Sequence, residues 1–202
     1  MEEITQNWRK LSLSEEEGRN IDLSKNKREG SLVLAASFLT RRTVNIEVVA
    51  RTFRPLWRTR RDFKVSDAGN NIVLFEFELE ADVVKVLLGE PWSFDRHLVV
   101  LEWYDSSTPV KNLKFNTTSF WIQIHNLPHS LLNTETALSL GETNGVITKP
   151  KDLSEMRGCN FMRVRVAMDI SKPLCRGWHV TWDQSSDGWI LFKYERLPNL
   201  CY

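Results

Sequence analysis

Little in this sequence announces a chemistry. Cysteine is scarce: Cys159, Cys175 and Cys201 are the only three in 202 residues. They are far apart, odd in number and without a CxxC pair. That gives no disulfide framework and points to a reducing, intracellular setting in the nucleus or cytoplasm. Long apolar runs are missing too. No stretch reaches the roughly eighteen apolar residues of a membrane span, and none follows a basic N-terminus as in a signal peptide. There is no glycine-rich phosphate loop and no HExxH. None of the four histidines (His97, His125, His129, His179) sits in a recognisable nucleophile motif. An enzyme is therefore the class with least support, and neither a cofactor nor a small-molecule substrate is expected. Pro128 lies between His125 and His129 and argues against one helical face, so no metal is expected there.

Against these absences stand eight tryptophans, each a large apolar surface that needs cover. The net charge of +1 also hides a segregation. Residues 31–64 hold eight basic and two acidic groups, whereas residues 65–107 hold nine acidic and two basic. Such asymmetry speaks of surfaces and partners rather than of fold.

By pattern the chain divides into a polar arm over 1–30, a first domain over 31–106 and a second region over 107–202. In the arm, Trp8, Leu11 and Leu13 are candidates for a short docking helix. The first domain opens with the apolar strand "SLVLAASFL". In "NIEVVARTFRPLWR" the residues Ile46, Val49, Ala50, Phe53 and Trp57 form one helical stripe. Asn45 is placed to cap that helix and Pro55 to end or kink it near Arg54. Two strands follow around the turn "AGNN". "EADVVKVLLGEPW" then predicts a helix closed by Gly89 in a left-handed cap, and "HLVVLEWYD" a last strand. The order β-α-β-β-α-β predicts an α+β fold, the ferredoxin-like layout used by RNA-recognition modules. Many unrelated proteins share it, so the layout alone implies no function.

The second region predicts a smaller antiparallel β-rich unit. "FWIQIHNLP" reads as a strand and "NTETALSLGETNG" as a capped helix. "CNFMRVRVAMDIS" alternates, with Met162, Val164, Val166, Met168 and Ile170 inward and Arg163 and Arg165 outward. "GWHVTWDQSSDGWILFKYE" reads as a hairpin on which Trp178, Trp182 and Trp189 could pack together.

Arginine is the strongest functional signal. Arg51, Arg54 and Arg58 fall opposite the apolar stripe of the first helix, Arg41 and Arg42 precede it, and Arg60, Arg61 and Lys64 follow. Guanidinium forks suit phosphates, and a dense cluster binds polyanions through counterion release. A merely solvated face, neutralised by the acidic block that follows, is the competing reading. The aromatic platform of RNA-recognition modules is missing: Ile72 and Leu74 occupy the stacking positions, and Gln123 stands where an aromatic would. Binding is thus expected to be backbone-dominated and poorly sequence-specific.

The segments "SLVLAASFLTRRTVNIEVVARTFRPLW", "GEPWSFDRHLVVLEW", "WIQIHNLP", "NFMRVRVAMDISKPL" and "FKYERLPNLCY" together resemble the plant domain of unknown function 4283, found in LINE-type retrotransposon gag-like proteins. The resemblance implies a non-catalytic, retroelement-derived module binding single-stranded RNA or DNA. It also implies that a CCHC zinc knuckle should begin where Cys201 stands. Only that first ligand is present, so no zinc is expected. "KPLCRGWHV" departs from the relatives' more basic pattern. The phosphate-binding candidates are Arg41, Arg42, Arg51, Arg54, Arg58, Arg60, Arg61 and Lys64, extended by Arg163 and Arg165. The alternative is a protein–protein interaction or homo-oligomeric assembly module that binds no nucleic acid.

Overall fold

The computed structural model describes residues 32–105, 108–150 and 152–198. The expected N-terminal docking helix and Cys201 lie outside these residues.

Apolar alternation builds the first sheet. Its strands are β1 (Leu32–Phe38), β2 (Lys64–Gly69), β3 (Ile72–Phe77), β4 (Trp92–Phe94) and β5 (His97–Tyr104). They are arranged β2-β3-β1-β5-β4 with every pairing antiparallel. The helix α1 (Ile46–Trp57) follows β1, and α2 (Glu80–Leu88) follows β3. Asn45 caps α1 as its residue type predicts, its side chain accepting from the Val48 N–H at 3.1 Å. Val49, Ala50, Phe53 and Trp57 are the buried stripe. Beneath them, Trp57 packs 4.6 Å from Phe53 and 4.7 Å from Phe75, centroid to centroid.

Two expectations about helix ends are corrected. Pro55 does not end α1, which continues to Trp57 and closes on Arg58 in the left-handed conformation. Pro55 is exposed, and the Arg51 carbonyl it leaves unpaired lies on the solvent side of the helix, where water can satisfy it. Gly89 is not left-handed either, with φ −79°. Its glycine answers a different need: a Cβ there would lie 2.3 Å from the indole of Trp92.

The face of the first sheet opposite its helices is covered by the chain's own linker. Val110, Leu113 and Phe115 pack on Val33, Ala35, Leu74 and Tyr104. Tyr104 fastens the start of that linker by donating to the Thr108 carbonyl at 2.7 Å.

The second sheet is not smaller than the first. It too has five strands: β6 (Thr117–His125), β7 (Val146–Ile147), β8 (Met162–Asp169), β9 (Gly177–Asp183) and β10 (Ser186–Tyr194), ordered β7-β8-β6-β10-β9. The helix α3 (Thr134–Glu142), capped by Asn133, covers one face. There Phe120, Ile122, Ile124, Met162, Val164, Val166, Ile190 and Phe192 form the core. Ile170 falls beyond the end of β8 and is only half-buried. The three hairpin tryptophans do not cluster. Trp178 and Trp182 lie on the helix side, where the Trp178 indole donates to Thr143 Oγ1 at 3.0 Å. Trp189 faces the other way, opposite His179. The described residues are thus a mixed α/β structure of three helices and two antiparallel sheets. No helix among them is long and apolar enough to cross a membrane.

Candidate functional site

The cationic cluster read from the sequence is divided by the fold. Arg41 and Arg42 precede α1, while Arg54, Arg58, Arg60, Arg61 and Lys64 gather at its far end. A twelve-residue helix separates the two groups, about 18 Å of rise. Arg51 lies on the helix between the two groups, and all eight side chains are exposed. Arg42 approaches Asp95 at 3.8 Å, and Arg54 pairs with Asp62 at 2.8 Å. The Arg54 hydrogen bond is the main reason the Asp62 carboxyl titrates below its ordinary value.

At the C-terminal end of α1 the backbone is held from beneath. Asp82, buried near the start of α2, accepts the N–H groups of Arg60 at 2.9 Å and Arg61 at 3.1 Å. The buried carboxylate is satisfied by two donors, and the loop is fixed with its two arginine side chains in solvent. Lys85, one turn further along α2, donates to the Arg58 carbonyl and adds a cation to the same end. Sequence reasoning missed Asp82 and Lys85, because both belong to the acidic stretch and to another helix. A buried aspartate in an otherwise apolar helical stripe was the available signal.

Arg163 and Arg165 do not extend that surface as expected. Arg165 is buried and caps α2, donating to the carbonyls of Leu87 at 3.0 Å and Leu88. Its strand residue does point away from the second core, but the end of α2 covers that part of the face. Arg196 completes the contact, donating to the carbonyls of Gly89 and Glu90 with its guanidinium 5.6 Å from the Trp92 ring. Within this contact Glu90 is buried, and the Ser119 N–H donates to its carboxylate at 3.3 Å. Loss of water raises its pKa to about 7, against the opposing pull of Ser119 and Arg165.

Arg163 is half-buried. Its Nε donates to the Glu155 carbonyl at 2.6 Å, its Nη1 lies 3.3 Å from Glu195, and its guanidinium sits 4.6 Å over the Trp121 ring. Beyond it, Gln123 and His125 are half-exposed on the outer face of the second sheet. Gln123 donates to Glu195 at 2.9 Å and holds the His125 ring through a 2.9 Å contact. His125 packs 5.0 Å from Phe161, and burial, reinforced by the Lys193 charge, lowers its pKa. Lys193 and Trp189 are exposed on the same face. Among the described residues no cluster of three or more histidine, cysteine or acidic side chains could hold a metal ion.

Comparison with known proteins finds similarity over part of this chain. Residues 26–111 match the family model described as a domain of unknown function, DUF4283. An uncharacterized protein of Arabidopsis thaliana is 27% identical over 127 residues, which are 61% of this chain and 39% of that protein. The chain thus matches well under half the length of that relative. No solved structure matches.

Proposed function

We propose that this chain is a non-catalytic, retroelement-derived module that grips the phosphates of single-stranded RNA or DNA inside the cell, with low sequence specificity. The observation that carries the reading is the cationic end of α1, where Arg54, Arg58, Arg60, Arg61, Lys64 and Lys85 meet on a backbone pinned by Asp82. Exposed guanidinium and ammonium groups on a fixed loop suit a polyanion, because little conformational entropy remains to be lost on binding. The order β2-β3-β1-β5 with both helices on one face supports a ferredoxin-like reading of the first sheet. Its other face is filled by the linker, so base readout there is excluded and contact with the phosphate backbone is favoured. The gag-like origin rests on the resemblance of the sequence segments, together with the match over residues 26–111.

Fluorescence anisotropy with a mixed-sequence single-stranded oligonucleotide tests the reading. Binding should appear at low salt and weaken steeply as salt rises, and Arg54→Ala with Arg58→Ala should weaken it several-fold. No binding at low salt, or indifference to both substitutions, would overturn it. A second reading, self-assembly, is favoured by one observation: Leu56, Val84 and Leu88 stand exposed on the outer sides of the two helices. Light scattering across a salt series separates the two, because a dimer that salt leaves intact and that excludes oligonucleotide supports assembly.

A further inference from the structure

A row of polar groups crosses three strands on the face of the second sheet that turns away from its core. Register sets Gln123 of β6 opposite both Arg163 of β8 and Lys193 of β10. With strands about 4.8 Å apart, two cations flank one amide across roughly 10 Å. The row is oriented by its own hydrogen bonds, His125 to Gln123, Gln123 to Glu195 and Arg163 to Glu195. Rings lie on either side of it. Trp121 supports the Arg163 guanidinium, His125 lies against Phe161, and the Trp189 indole is 52% exposed. Trp189 rests over Gly177, where a Cβ would come within 2.9 Å of the indole.

We propose that this face is a base-stacking platform for single-stranded nucleic acid. Trp189 and the His125–Phe161 pair receive bases, the Arg163 plane over Trp121 extends the stack, and Lys193 meets phosphate. The inference rests on the nucleic-acid-binding reading above and adds a second surface to it. Neutral rings and guanidinium planes stack on any base, and an amide held at a fixed angle can meet base edges. Glu195 does not oppose an incoming strand strongly, because its carboxylate is already engaged by Arg163 and Gln123.

The platform and the cationic end of α1 are linked through α2 rather than by a row of exposed cations. Lys85 touches the Arg58 carbonyl, Leu88 lies one turn further along α2, and Leu88 is capped by Arg165. Arg165 pairs in register with Trp121, so the rings begin where α2 ends. A single strand is the occupant favoured, since a duplex keeps its base faces stacked and could offer this surface only phosphates.

The test uses the full chain and three labelled probes of about twenty nucleotides: a mixed-sequence single strand, the same sequence as a duplex, and an abasic strand. Trp189→Ala should weaken the single strand roughly fivefold or more and leave the duplex and abasic strand unchanged, while Trp189→Phe retains most of the affinity. Lys193→Ala should weaken all three probes. Intrinsic tryptophan fluorescence should be quenched by the base-bearing strand and not by the abasic one.

If Trp189→Ala leaves single-strand affinity intact while Arg54→Ala and Arg58→Ala still reduce it, the platform is wrong and the cationic surface stands alone. If no probe binds at low salt, both readings fall. If Trp189→Ala instead dissolves a dimer without changing oligonucleotide affinity, the face is a self-association surface and the proposal is overturned.

Discussion

Arg165, in the middle of the second sheet, donates to the carbonyl oxygen of Leu87 at 3.0 Å, in the last turn of a helix that belongs to the first. A helix leaves its final carbonyls short of partners, and here Trp92 and the Gly89 and Glu90 N–H groups serve some of them while another layer of the protein supplies the rest. The positive charge also suits the negative end of the helix dipole. Arg165→Met should cost about 2–4 kcal/mol, since it takes the donor from Leu88, leaves the Leu87 carbonyl only the Glu90 N–H, and removes the charge facing the buried Glu90. Urea denaturation measures the loss. Arg165→Lys should recover only part of it, because one ammonium cannot serve two carbonyls as a fork does.

Glu90 gives the fold a pH dependence of definite sign. Its pKa rises from the ordinary 4.5 to about 7, chiefly because burial strips water from the carboxylate. The folded state therefore holds a proton that the unfolded chain has released between those values. Stability from this group is fully present below about pH 4.5, falls as pH rises, and levels off above about pH 7. Glu102 is raised by burial as well and acts in the same direction. Glu90→Gln should leave stability unchanged near pH 4 and raise it at pH 8 by on the order of 2 kcal/mol. Asp62, Asp152 and Asp169 have lowered values, so their contributions are lost only as pH falls through the most acidic range. Denaturation midpoints across a pH series check the profile. His125, whose pKa burial lowers, acts in the opposite direction below its ordinary 6.5, so the comparison of wild type with Glu90→Gln carries the test, and equal stabilities at pH 8 would contradict it.

Asp82→Ala should act on both stability and binding. Two N–H donors lose their buried acceptor, at a cost of about 1–3 kcal/mol. The loop carrying Arg60 and Arg61 is then no longer fixed, and single-strand affinity should fall several-fold under conditions where the variant is fully folded. Asp82→Asn keeps one acceptor oxygen and should be milder on both counts. Circular dichroism melts with anisotropy titrations separate the two effects.

Gly177→Ala should be more damaging than an edge-strand alanine ordinarily is. The added Cβ would fall 2.1 Å from the Ile190 carbonyl oxygen and 2.9 Å from the Trp189 ring. Backbone atoms cannot yield as a side-chain tip does, so a loss of about 2 kcal/mol or more is expected, with a shifted Trp189 emission spectrum.

Much of the fold was legible because its cues are local. The stripe Val49, Ala50, Phe53, Trp57 and the cap Asn45 specify α1 from a dozen residues, and the alternation of β8 sets four of its five inward residues correctly. What was not legible depends on partners distant in sequence. Arg165 reads as an outward cation by alternation and is outward with respect to its own sheet. Only the docking of α2, 77 residues away, buries it. The strand Trp92–Phe94 escaped notice because three residues carry no readable period. Gly89 was assigned to backbone handedness, when the neighbouring indole of Trp92 was the reason for it.

The linker across the first sheet bears on where this protein can be cut. The family match stops at residue 111, inside the short turn Val110–Asn112 and ahead of Leu113 and Phe115. A fragment trimmed to that boundary would lose two of the three side chains that roof Val33, Ala35 and Leu74, and would present a bare apolar sheet to solvent. The matched stretch and the self-covering unit therefore have different ends. A soluble fragment of the first sheet has to borrow at least the chain through Phe115, and its α2 would still lack the arginine fork that the second sheet gives Leu87 and Leu88.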